Sequence, residues 1–528
     1  MKKSTLKNNI LLPVQLILII AFLEGFVIMG VELIGAKIAG PYYGSSFFVW
    51  TSIIGVTLFS LTAGYFVGGH LSSKYKTSKL IPIISLLAGF FIFLMPNIAK
   101  PFFTIVLDLP ILLAVVLATV SYLLLPLFFV GMLSPCLILE LSKHKKDAGE
   151  SSGIIYFVST IAGIIAALVF GFLLLPKLEI VKNVYLLSII ILLVGSVAAN
   201  IYKEKRLKYT AVFLTLFVVI LIIKEISVTT KYPRMSIKVV HQSEGLLGQI
   251  KVVDNYDSKS RTLSVNNSSQ TKTHFTGRSL FPYVYYISTY LSHKEEGSEI
   301  LLAGVGGGSL IYELSLFDFE IEVVELDKRI VDVAKQYFLM PKKDFKVNID
   351  DARHFIRKTN KTYDAIILDM SAGETMPSNV YTVEAFRNMK KLLKPEGNIV
   401  LHFVSINSEE GMLSVKSIGK TLSEAGFNVQ LLNTKPSSEN PSPFVFIASL
   451  EELDFDEMNF YIDPDLPKSL IPDKNNLTMD VNFEEGYLLT DNKPLLDVIH
   501  KPVVLTLRRH NIESIINPLS KNKVSIFK

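Results

Sequence analysis

The first 226 residues are almost continuously apolar, interrupted by short basic loops. Seven stretches, near 11–36, 47–71, 80–97, 110–140, 153–175, 183–201 and 209–226, each suit a bilayer crossing, which takes roughly 20 apolar residues in a helix. The fourth carries Pro126 and Pro135, which predict a kink or a division. Beyond residue 226 the pattern changes twice. Residues 236–270 alternate apolar and polar and hold turn signals in "VVDNYDSKSRTLSVNNSS", predicting an antiparallel hairpin unit. From 298 to about 450, apolar strands at 299–304, 320–325, 345–349, 364–369, 397–403 and 443–449 alternate with helical stretches. That rhythm predicts a doubly wound, mostly parallel sheet with ligands at the C-terminal strand ends. The chain thus divides into a transmembrane helical domain (1–226), a β-hairpin unit (236–290), a Rossmann-like α/β domain (291–450) and a more polar C-terminal extension (451–528).

Composition agrees with a membrane protein carrying a soluble half. Half of the 528 residues are hydrophobic and the mean hydropathy is +0.40, too apolar for an ordinary soluble chain. The net charge of +5 is scattered through short loops, which argues against a nucleic-acid surface. The single cysteine, Cys136, excludes an intramolecular disulfide and a cysteine-based metal site. No metal is expected. The first apolar run lacks a small-residue cleavage site and reads as a signal anchor. Three basic clusters, at Lys2–Lys7, Lys143–Lys146 and Lys203–Lys208, fall on one side if each stretch crosses once, and Lys74–Lys79 opposes them. By majority the positive-inside rule puts the N-terminus in the cytoplasm. Seven crossings would leave the soluble half outside, and eight would leave it inside.

Two acidic residues, Glu24 and Glu32, lie in the first apolar stretch. A charge at mid-membrane costs at least ~2.5 kcal/mol, so both are expected to face the bundle interior. Eight residues of helix place them roughly 80° apart, on one broad face. They are candidates for a proton or cation site, with structural hydrogen bonding to a neighbouring helix as the alternative. His70 and Glu140, near span ends, are expected to be solvated at the interface. Gly163, Ala167 and Gly171, and Gly64 and Gly68, repeat at four-residue spacing and predict close helix packing.

The soluble half carries candidate chemistry at four successive strand tips. "ILLAGVGGGSLIYEL" breaks a strand into a loop with Gly304, Gly306 and Gly308 and then resumes as a helix. Glu325 ends the next strand, about twenty residues on, where nucleoside-binding sheets hold a ribose-binding acid. Asp350 and Asp351 end the third, and Asp369 ends the fourth before a long polar loop. Together they form a coherent nucleoside pocket.

These residues resemble the spermidine synthase family, which shares the class I methyltransferase sheet. "SEGLLGQIKVVDNYDSKSRTLSVNNSSQT" is similar to that family's N-terminal hairpin, and "YTVEAFRNMKKLLKPEGNIV" to the segment where the family reads L-[FY]-T-x-E-F. "LEGFVIMGVELIGAKIAGPYYGSS", "GMLSP", "SSGIIYFVSTIAGIIAALVFGFLLLP" and "LLTDNKPL" resemble bacterial fusions of a multi-span domain with a spermidine synthase-like domain. The resemblance implies a bacterial plasma membrane and an adenosyl sulfonium cofactor, S-adenosylmethionine or its decarboxylated form. It makes Glu325 the ribose-binding acid, Asp351 the acid contacting the adenine amine, Gln270 an active-site glutamine and Asp369 the aspartate that helps deprotonate an attacking amine. Three departures weaken the grip on a polyamine. Gly307 stands where the family has an aspartate, and Ala372 where it has a second loop acid. "HFTGRSLFPYVYYIS", with basic charges, replaces an acidic segment. The expected function is a membrane-anchored transferase passing an aminopropyl or methyl group to an amine-type acceptor. A transporter or sensor whose soluble domain binds a nucleoside or polyamine without catalysis is the alternative. Expected partners are the bilayer and a small amine or nucleoside, with no nucleic acid; a homo-oligomer is compatible. The strand-tip acids favour a cytoplasmic soluble half.

Overall fold

The computed structural model describes residues 11–43, 47–106, 109, 111–210, 212–216, 236–245, 247–340, 345–370, 376–455, 458–466, 470, 473, 476–493 and 495–511. The chain forms two compact units, Met1–Met235 with Ser243–Gly248 and Ser525–Lys528, and Ser236–Gln242 with Gln249–Val524.

The first unit is all helix: α1 (Val14–Tyr43), α2 (Phe47–Lys74), α3 (Thr77–Ile105), α4 (Ile111–Gly131), α5 (Leu133–Lys145), α6 (Ala148–Val169) and α7 (Ile180–Ile201). Six stretches among the described residues are long and apolar enough to cross a bilayer, α4 and α5 forming one of them. They match the first six expected spans. The seventh, near 209–226, falls largely outside the described residues. The fourth divides at Met132, so Pro135 sits in the first turn of α5, where its missing N–H costs no intrahelical bond. Phe59, Phe66, Phe157 and Phe172 are about two-thirds exposed or more, a surface that suits lipid rather than water.

Small residues bring the helices together. A Cβ on Gly25 would stand 2.0 Å from the Ser159 carbonyl oxygen, and one on Gly64 2.4 Å from that of Phe128. Acidic residues are sealed inside. Glu140 is fully buried, against the expectation of interfacial solvation. Four protein donors replace water there. Its Oε1 accepts from the Leu12 N–H (3.1 Å) and Tyr202 Oη (3.0 Å), and its Oε2 from Thr77 Oγ1 (2.6 Å) and Lys143 Nζ (2.7 Å). Glu24 is also fully buried, and Ser134 Oγ donates to its Oε1 at 2.6 Å. Glu32 is only half-buried, so the two candidates differ in environment.

The second unit holds two sheets. The smaller has the order β1 (Ile237–Ser243), β2 (Ile250–Asn255), β3 (Ser260–Val265), β4 (Ser268–His274). Asn266 and Asn267 join β3 to β4 with φ of 51° and 60°, the left-handed pair that a two-residue hairpin needs to match strand twist. The larger comprises β5 (Glu299–Ala303), β6 (Glu320–Glu325), β7 (Lys346–Ile349), β8 (Tyr363–Leu368), β9 (Leu393–Ser405), β10 (Asn428–Leu432), β11 (Ser442–Ser449) and β12 (Thr478–Met479). Their order is β12-β10-β11-β9-β8-β5-β6-β7. Strands β5 to β9 pair in parallel, whereas β11, β10 and β12 continue the sheet antiparallel. The sheet is therefore mixed; β10 and β12 are short and lacked a clear apolar signature. Strand order reverses between β5 and β8, and the crevice at that switch point is where such sheets take ligands.

Helices α8 (Tyr283–Leu291), α9 (Ser309–Leu314), α10 (Lys328–Tyr337), α11 (Ala352–Lys358), α12 (Val383–Lys390), α13 (Glu409–Glu424), α14 (Leu496–Ile499) and α15 (Lys501–Asn511) complete the unit. Two apolar clusters flank the sheet, one including Ile287, Leu302 and Ile330, the other Leu301, Phe386 and Phe403. Residues beyond 450 join them: Leu489 and Leu496 are buried in the second cluster. The motifs "YTVEAF" and "LLTDNKPL" meet here, since Thr382 Oγ1 donates to Asp491 Oδ1 at 2.7 Å and Arg353 Nη2 to Asp491 Oδ2 at 2.7 Å.

His500 is buried against the Phe403 ring, with Ser414 Oγ 3.1 Å from its Nδ1. Burial lowers its pKa from the ordinary 6.5 to about 3. The unfolded chain binds this proton first, so stability is full above pH ~6.5 and falls by about 1.4 kcal/mol per pH unit on acidification towards the folded value. The expected outcome is that His500→Gln flattens the dependence of soluble-unit unfolding on pH between about 6 and 4. Denaturant melts read by near-ultraviolet circular dichroism would measure it.

Candidate active site

The glycine loop is shaped by the strand beside it. Gly304, at the end of β5, has φ 98°, and a Cβ there would lie 2.0 Å from the Asp369 carbonyl oxygen. Only glycine lets the loop pass the tip of β8. The crossing is tied by Asp369 N–H donating to Ala303 O (2.9 Å) and Gly304 N–H to Val324 O (2.9 Å). Gly306 and Gly308 also have positive φ, 53° and 78°.

Position 307 is closed by β4. The Gly307 N–H donates to Thr271 Oγ1 at 2.7 Å, and a Cβ would meet Thr271 Cγ2 at 2.7 Å. The loop therefore offers neither a side chain nor a free N–H at this point. Thr271 had no sequence signal beyond its place next to Gln270. Gln270 is half-buried on β4, its Nε2 donating to Ser268 O at 3.3 Å.

Glu325 stands at the tip of β6, bound to the same loop. Its Oε2 accepts from Val305 N–H at 3.0 Å and its Oε1 from Asp327 N–H at 2.9 Å. Burial raises its pKa, and the N–H groups of Asp327 and Val305 oppose that shift. Asp351 caps α11, its Oδ1 accepting from His354 N–H at 3.0 Å. Asp350 pairs with His354 Nδ1 at 2.8 Å, which holds its carboxyl below the ordinary range.

Asp369 belongs to a three-residue cluster that the sequence pattern did not reveal. Tyr283 Oη donates to its Oδ2 at 3.0 Å, and His402 Nδ1 lies 2.8 Å from its Oδ1. The Tyr283 and His402 rings stack with centroids 3.6 Å apart and planes 4° from parallel. Burial, with the Asp369 charge next, pushes the Tyr283 phenol well above its ordinary pKa. Tyr283 is therefore a neutral donor. The only hint of His402 was one polar residue inside the apolar strand "NIVLHFV", a pattern that a core histidine also gives.

The arginine of the "HFTGRSLF" segment is paired within the protein. Arg278 pairs with Asp463 and, at 3.3 Å, with buried Glu313. The loop with Ala372 lies outside the described residues.

Residues 283–450 match the profile of the spermine/spermidine synthase domain. Polyamine aminopropyltransferase 2 of Aquifex aeolicus is 23% identical over 419 residues, covering 77% of this chain and 82% of that protein. The polyamine aminopropyltransferase of Methanocaldococcus jannaschii is 25% identical over 276 residues, covering 50% and 89%. Among solved structures, the spermidine synthase of Thermotoga maritima superposes with a TM-score of 0.35 at 17% identity, covering 42% and 76% of the two chains. The chain is similar to the polyamine aminopropyltransferases, and its residues 283–450, which follow six apolar helices in sequence, match the spermine/spermidine synthase domain.

Proposed function

We propose that the protein is a membrane-anchored transferase that takes an aminopropyl group from decarboxylated S-adenosylmethionine and gives it to an amine. The observation that carries this reading is the Tyr283–Asp369–His402 cluster placed beside the glycine loop and Glu325. The donor set fits an adenosyl group. Each Glu325 oxygen accepts one backbone N–H and keeps a lone pair for a ribose hydroxyl. Asp351 would take the adenine amine, and Gln270 lies on the strand facing the loop. Bound there, the sulfonium supplies an electron-poor carbon next to a positively charged sulfur.

The chain's own residues handle the amine. A free ammonium, with a pKa of roughly 10, is not a nucleophile until it loses a proton. Asp369, fixed by two donors, provides the negative charge that draws the ammonium in and stabilises the positive charge left on the site once the proton is taken up there. With Gly307 closed by Thr271, the second ammonium of a diamine lacks the family's loop acid. An acceptor with one amine and an apolar body fits better than a polycation. The soluble half is assigned to the cytoplasm, where adenosyl cofactors are made.

Calorimetry on the detergent-purified full chain tests the binding part of this reading. The expected result is binding of decarboxylated S-adenosylmethionine and methylthioadenosine, tighter than that of S-adenosylmethionine. Binding of none of the three would overturn it.

A further inference from the structure

We infer that His402, rather than Asp369, is the final proton acceptor in this site, and that Asp369 orients it. The inference rests on the transferase reading above. Its ground is the hydrogen-bond inventory of the cluster. An ionised carboxylate can only accept. Asp369 Oδ2 is taken by Tyr283 Oη (3.0 Å) and Oδ1 by His402 Nδ1 (2.8 Å). The His402 proton therefore sits on Nδ1, which leaves the lone pair of the neutral ring on Nε2. That atom is buried and has no hydrogen-bond partner among the described residues. A buried acceptor without a donor is costly, by about 1–3 kcal/mol, and such a site is relieved when a substrate N–H arrives.

The surroundings hold the ring in one pose. Tyr283 lies flat over it at 3.6 Å, and β9 carries it next to the tip of β8, where Leu368 pairs with Leu401. Among the described residues, the charged group in contact with the ring is Asp369, just past the end of β8, and neutral Tyr283 on α8 covers its face. The arrangement repeats the logic of a carboxylate that fixes a histidine tautomer so the distal nitrogen can act as a base.

The ammonium passes one proton to His402 Nε2, giving an imidazolium stabilised by Asp369. The freed nitrogen lone pair forms a C–N bond to the aminopropyl carbon. The C–S bond breaks, and its electron pair stays on sulfur as a neutral thioether. A second N–H proton on the product leaves to water at the pH of the medium or is retained as product ammonium.

The test is His402→Gln in the full-length protein, because the glutamine amide can still donate to Asp369 but cannot take a proton. Decarboxylated S-adenosylmethionine and a set of primary amines (putrescine, cadaverine, hexylamine) serve as probes, with methylthioadenosine release as the readout. The expected result is a kcat lower by ~10²-fold or more, an amine KM within about threefold, and loss of the acid limb of the kcat profile. Wild-type kcat and an unchanged acid limb in H402Q would overturn the assignment alone. No turnover by the wild type with any amine would overturn the transferase reading, and this assignment with it. A second measurement needs no turnover. In ¹⁵N-histidine spectra of the full chain, the His402 signal, assigned by its loss in H402Q, is expected as the Nδ1–H tautomer with a bare Nε2 at neutral pH. An Nε2–H tautomer would overturn the inference.

Discussion

Replacing Asp369 with asparagine is expected to lower kcat by ~10³-fold while the affinity for methylthioadenosine stays within about threefold. The reason is local. The carboxylate accepts from Tyr283 and His402 through separate oxygens, and an amide can accept through only one of them. Its NH₂ would then face a donor, Tyr283 Oη or His402 Nδ1–H. The histidine tautomer would be free to change, and the negative charge that offsets the loss of the ammonium proton would vanish. The groups proposed to hold the nucleoside sit elsewhere, Glu325 at the end of β6 and Asp351 at the N-cap of α11, so binding is expected to be spared. Methylthioadenosine titration and steady-state kinetics on the same preparation would separate the two effects. Equal turnover of D369N and wild type would refute the role given to this residue.

Glu325→Gln carries the second large effect, in binding rather than in turnover. Hydrogen bonds to a charged group contribute about 1.5–3 kcal/mol each, so losing the charge at a ribose diol weakens methylthioadenosine binding by ~30-fold or more. The loop adds to this. Both oxygens of Glu325 already accept backbone N–H groups, from Val305 and from Asp327, and the amide of a glutamine must turn its NH₂ towards one of them. The pH dependence follows from the raised pKa that burial gives the carboxyl. The carboxylate exists above that value, so wild-type affinity falls as pH drops through it, from above the ordinary 4.5. The E325Q affinity should be flat over the same range. Calorimetric titrations at a series of pH values would show either pattern.

Much of this architecture could be read along the chain because two periodicities carry it. Long apolar runs and short alternating strands come from different solvents, lipid and a two-sided sheet, and they change over near residue 236. The strand-tip positions of Gly304, Glu325, Asp351 and Asp369 were equally legible, since a parallel sheet lines up its C-terminal ends whatever the intervening helices do. What the pattern could not show were contacts made across strands. Tyr283 and His402 lie 119 positions apart in sequence, and nothing in either segment signals that their rings stack on one carboxylate. Thr271 is similar: a threonine on a hairpin strand gives no hint that it closes Gly307. Glu140 shows the converse. Its place near the end of an apolar stretch predicts an interfacial acid. In the structure, donors from the starts of α1 and α3 and from just past the end of α7 enclose it. The antiparallel end of the large sheet is not legible because an apolar run such as β11 carries no strand direction, and β12 has only two residues.

Gly307 changes the reading of the whole site. A glycine in place of an acid suggests a cradle that has lost a grip. The structure adds that Thr271 fills the space, so an aspartate at 307 would need the Thr271 side chain to shift. The departure is built into the packing of two sheets.

The most direct test of the central claim is product analysis by mass spectrometry. Purified full-length protein would be incubated with decarboxylated S-adenosylmethionine and primary amines, with S-adenosylmethionine in a parallel reaction. The account predicts methylthioadenosine and an amine heavier by one aminopropyl group in equal amounts, from the decarboxylated compound only. Saturating binding of the decarboxylated compound with neither product formed from any amine would contradict it, and would leave a domain that binds a nucleoside without transferring anything.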